Sequence, residues 1–81
     1  MPEIINRFVQ DIPEARRGFR LLFSAAPFPG YQLELTRGRE EYGGHWYRVK
    51  DSPAEGWLCP ALLKYFENAP ERLYARAEAA G

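Results

Sequence analysis

Two short stretches of strict alternation constrain this chain more than any other feature. Tyr31, Leu33 and Leu35 alternate with Gln32, Glu34 and Thr36, and in His45 to Lys50 Tyr47 and Val49 oppose Trp46, Arg48 and Lys50. A side-chain period of two marks a strand with one buried face. The stretches flank Gly43-Gly44 and read as a hairpin, so Leu33 and Leu35 must share a side with Tyr47 and Val49. A two-residue turn at Gly43-Gly44 would pair Tyr42 with His45 and put Leu35 on the wrong side. Loops of three or five residues ending at Gly44 keep the parity. The five-residue loop, Glu40 to Gly44, sets Leu35 opposite Val49 and is the expected form, with Gly43 or Gly44 in the left-handed position.

The remaining elements follow from spacing and punctuation. Ile4, Ile5, Phe8, Val9 and Ile12 recur at helical intervals between Pro2 and Pro13, which predicts an amphipathic helix over 1–12. Phe19, Leu21 and Phe23 alternate as a strand that ends at Pro27 and Pro29. Asp51 to Gly56 is a turn, and Trp57-Leu58-Cys59 is a short strand stopped by Pro60. Pro60 then opens one or two helical turns over Ala61 to Glu67, with Leu62, Leu63 and Phe66 inward. In 72–78, Leu73, Ala75 and Ala77 alternate like a strand while the alanine content favours helix; the strand is preferred.

The fold class expected is α+β: a small, strongly bent antiparallel sheet, an N-terminal amphipathic helix and a short helix after the last core strand. With 81 residues the chain makes one domain, divided into the helix at 1–12, a β-rich core at 18–66 and a C-terminal extension at 67–81. Its apolar fraction of 46%, with five Phe, five Tyr and two Trp, is enough to build a core. Eleven basic and eleven acidic residues cancel, removing the basic excess that binding to phosphate backbones or anionic lipid usually needs. A single Cys makes no internal disulfide, and no stretch is apolar for the length of a bilayer span. The N-terminus, with Glu3 and Asn6, lacks the pattern of a signal peptide, so a cytoplasmic location is expected.

Trp46-Tyr47-Arg48-Val49, a charged turn, and Gly56-Trp57-Leu58-Cys59-Pro60-Ala61-Leu62-Leu63 together resemble the second half of a bacterial Src-homology-three-like domain. The resemblance covers about residues 46–63 and implies an SH3-like barrel or half-barrel. The family's opening strand signature has no counterpart in Phe19 to Tyr31. In eukaryotic relatives the peptide groove has an aromatic, a proline and a tyrosine at the positions of Trp46, Cys59 and Leu62, and only the aromatic is retained here. Recognition of proline-rich helices is therefore not expected. As a whole the chain looks like a small bacterial family of unknown function.

Several residues carry chemistry that must be weighed. Cys59-Pro60 is a dipeptide found at some haem thiolates, but with one Cys, one Met and one His far apart a small buried hydrophobe is the better reading, and no metal or cofactor is expected. His45 beside Gly43-Gly44 is a general-base candidate without an obvious nucleophile, so no catalytic residue is assigned. Asp51, Glu55, Glu40 and Glu41 read as solvated turn carboxylates. Arg16, Arg17, Arg20, Arg37, Arg39 and Arg48 could line a sheet, with Trp46 and Tyr42 as stacking platforms for single-stranded nucleic acid, but Glu14, Glu34, Glu40 and Glu41 interleave with them.

The expected function is a non-enzymatic protein-interaction module or accessory subunit. Its partner-binding residues are Trp46, Tyr42 and Trp57, joined by Phe8 and Ile12 if the N-terminal helix mediates a homodimer. A single-stranded nucleic-acid-binding barrel is the alternative, ahead of a small enzyme or ligand sensor.

Overall fold

The computed structural model describes residues 19–79, so the expected helix at 1–12, with Phe8 and Ile12, and Arg16 and Arg17 lie outside the described residues. The elements are β1 (Phe19–Ser24), β2 (Leu33–Glu41), β3 (Gly44–Val49), β4 (Glu55–Leu58), the short helix α1 (Pro60–Leu63) with a 3-10 turn over Lys64–Phe66, and β5 (Arg72–Ala79). All five strands join one antiparallel sheet in the order β1-β5-β2-β3-β4, strongly curled into a half-barrel. This shape is compatible with a small SH3-like barrel.

Alternation decides which side chains the curl encloses. Leu21, Leu35, Tyr47, Val49, Leu58, Leu73 and Ala75 are buried on the inner face, and Leu62 and Leu63 of α1 close over them. Leu33, expected in the same cluster, packs against it partly buried, as do Phe23, Cys59 and Phe66. Pro60 suits the first turn of α1 because that position has no intrahelical acceptor for the N–H it lacks. Glu67, at φ 65°, ends the 3-10 turn in the left-handed region.

The strand preferred for 72–78 is present as β5. It lies between β1 and β2, hydrogen-bonded to both, so the segment read as a C-terminal extension is an inner strand of the sheet. Arg37 and Tyr47 fix its approach: the Arg37 Nη1 donates to the Ala69 carbonyl at 2.8 Å, and the Tyr47 hydroxyl donates to the Pro70 carbonyl. Burial pushes the Tyr47 phenol up to about 12, with the nearby Arg37 guanidinium opposing the shift.

The hairpin corrects one expectation while keeping its register. Leu35 stands opposite Val49, the register expected of a five-residue loop, but the five-residue loop is absent. Glu41 pairs with Gly44, leaving a two-residue turn of Tyr42 and Gly43 at φ 51° and 81°, the positive pair of a type I′ turn. Parity is restored by a register shift between Arg37 and Glu40, where β2 carries one extra residue. Gly38 lies in that bulge, and a Cβ there would stand 2.9 Å from the Trp46 carbonyl oxygen.

Candidate functional site

The outer face beside this bulge collects the aromatic residues that the sequence singles out. Trp46 and Trp57 are direct cross-strand partners on β3 and β4, so both indoles leave the sheet on the side opposite Tyr47 and Leu58. The bulge and the tight turn send Arg39 and Glu41 to the same side. Arg39 lies over the Trp46 ring at 4.6 Å from its centroid and bonds Glu55 at 3.4 Å. Glu41 holds both indoles: its carboxylate accepts from Trp46 Nε1 at 2.6 Å, and its backbone carbonyl accepts from Trp57 Nε1 at 2.9 Å. Glu41 is thus partly buried and bonded, a correction to its reading as a solvated turn carboxylate.

Trp46 and Trp57 are both partly buried, while Tyr42 at the hairpin tip is 87% exposed. Beside Trp46 lies a groove of about 280 Å³ bounded by Thr36, Arg37, Arg39, Arg48 and Glu55. Arg39 and Arg48 border it with one carboxylate, Glu55, which is already engaged by Arg39, while the Arg37 guanidinium is held by the Ala69 carbonyl. Arg48 pairs with Glu55 in backbone register yet makes no ion pair among the described residues.

Among the described residues, the arginines of the stripe considered from sequence do not form a continuous basic face. Arg20 bonds Glu78 at 2.9 Å, Arg72 and Lys50 converge on Glu34 at 3.2 and 3.9 Å, and Arg37 turns to the Ala69 carbonyl. Farther along the outer face, Tyr31 packs edge-on against Tyr74 at 5.1 Å and Phe28 lies beneath Arg76, so the 25–32 loop covers the sheet there.

The other candidate chemistry has a structural setting. Cys59 is partly buried against the core at the start of α1. His45 points inward beside Leu63, with its Nδ1 buried and unpaired, and neither Ser nor Cys lines the adjoining hollow. Among the described residues no cluster of three His, Cys, Asp or Glu could hold a metal ion, and no helix is long and apolar enough to cross a membrane.

Glu41 and Arg39 were missed as site residues because their roles depend on the bulge. The available signal was Gly38 between charged neighbours inside an otherwise alternating strand, a common mark of a bulge. Neither a curated protein nor a solved structure matches the chain. A family profile described as "Family of unknown function (DUF6717)" matches residues 1–78, and the chain belongs to that family.

Proposed function

We propose that this chain is a small non-enzymatic protein-interaction module, acting inside the cell, whose binding surface is the outer face around Trp46. The observation that carries the reading is the fixed Trp46 indole, held edge-on by Glu41 and covered on its ring by Arg39, beside an open groove. A tryptophan oriented before binding loses little freedom when a partner arrives, and Trp, Tyr and Arg are the residues most enriched at interface centres. Tyr42 extends the surface past the hairpin tip, and Trp57 supports it from the neighbouring strand.

Photo-crosslinking in the native cell tests the reading. A benzophenone amino acid placed at the exposed Tyr42 position should join the chain to a discrete protein, and Trp46→Ala should abolish that product. A product of twice the chain's own mass would make the partner a second copy. Crosslinking to nucleic acid, or a protein product that persists in the Trp46→Ala chain, would contradict the reading.

A further inference from the structure

We infer that the groove beside Trp46 receives an extended, acidic peptide segment whose carboxylates meet Arg48 and Arg39, a proposal that rests on the outer-face reading above. Charge complementarity carries it. The chain as a whole has no formal net charge, and most cations on the outer face are matched: Arg20 by Glu78, Arg72 and Lys50 by Glu34. The groove departs from that balance, because Arg39 and Arg48 line it with Glu55 as the one lining carboxylate, the Arg37 guanidinium being held by the Ala69 carbonyl.

Arg48 supplies the unmet charge. It is exposed, stands across the strands from Glu55, and makes no ion pair among the described residues because the Glu55 carboxylate is turned to Arg39. A guanidinium offers a planar fork of donors that matches a carboxylate with two parallel hydrogen bonds. An arriving carboxylate can also take Arg39 from Glu55, since that exposed contact is long at 3.4 Å.

The shape favours a chain rather than a compact ligand. The groove is open to solvent and follows the β2–β3 ribbon at the bulge, from Thr36 to Arg39 on one strand and Trp46 to Arg48 on the other. The β2–β5 ladder ends at Thr36 and Arg72, with the Arg37 N–H still bonded to the Glu71 carbonyl at 2.9 Å, so the ribbon at Gly38 and Arg39 continues past β5. Single-stranded nucleic acid would also meet arginines and an aromatic ring, but it needs a basic track that the Glu34 and Glu78 pairings interrupt.

Selection of a random peptide library on the intact chain, followed by titration of the enriched peptides, tests the proposal. The enriched peptides should carry Asp or Glu, and Arg48→Glu should weaken their binding by roughly tenfold or more. Arg20→Glu, at the opposite end of the sheet, should change it less than about twofold, and binding should weaken as salt rises. Neutral or basic peptides that still require Trp46 would overturn the acidic assignment and leave the outer-face reading standing. Peptides indifferent to both Trp46→Ala and Arg48→Glu would overturn both. A twelve-nucleotide oligothymidylate that displaces the peptides and binds more tightly would replace the peptide with nucleic acid.

Discussion

The carboxylate of Glu41 accepts a hydrogen bond from the indole Nε1 of Trp46 at 2.6 Å, across a hairpin turn only two residues long. The pair connects the fold to the proposed binding surface, because the turn and bulge that set the hairpin register also bring Glu41 and Arg39 to the indole. Replacing Glu41 by Ala removes the acceptor and should cost about 1 kcal/mol of stability. It should also shift the Trp46 indole N–H resonance in the NMR spectrum, whereas Glu41→Gln, which keeps an oxygen in reach, should retain most of the wild-type shift.

Gly38 permits the bulge to approach β3. With only 2.9 Å between a Cβ and the Trp46 carbonyl, Gly38→Ala forces backbone apart and should destabilise the fold by about 1 to 3 kcal/mol. Urea unfolding followed by tryptophan fluorescence measures it. A midpoint equal to wild type would mean that the strands can separate there without loss.

Leu35 and Val49 face each other at the centre of the inner face, both buried. Truncating Leu35 to Ala should cost about 2 to 4 kcal/mol, and Val49→Ala somewhat less because a smaller side chain is removed. Denaturant titration of the two variants and their double mutant should show non-additive losses, as expected of residues in contact.

Tyr47 predicts an alkaline limit. Its phenol is pushed from 10 to about 12 by burial, so the fold favours the neutral form. The associated stability is present below about pH 10 and is lost as pH rises towards about 12. Tyr47→Phe should flatten that decline in unfolding experiments, while lowering stability near neutrality by about 1 kcal/mol through loss of the bond to the Pro70 carbonyl.

Part of this was legible in the sequence, and the limits have physical causes. Strict alternation was sufficient to put Leu35 and Val49 on one face and to send Trp46 to the other, because period and parity are local properties; that Leu35 stands directly opposite Val49 was expected from a five-residue loop and is instead produced by the bulge. The bulge adds one residue without disturbing the apolar pattern, since Gly38, Arg39 and Glu40 are all polar or small; the turn was therefore read as five residues. The place of β5 between β1 and β2 depends on pairings such as Leu21 with Ala77, more than fifty positions apart, which no local spacing encodes. The site shows the same division: Trp46, Tyr42 and Trp57 were visible as aromatic residues on strands or a turn, while Glu41 and Arg39 join them only through the folded hairpin.

The most direct test measures peptide affinity and melting temperature together for Trp46→Ala, with Leu35→Ala as the reference for a core residue. The account predicts that Trp46→Ala loses at least about 2 kcal/mol of binding, as truncated interface anchors do. It should also melt far closer to wild type than Leu35→Ala. A Trp46→Ala chain that melts as low as Leu35→Ala while its folded fraction binds with wild-type affinity would make Trp46 a packing residue and contradict the account.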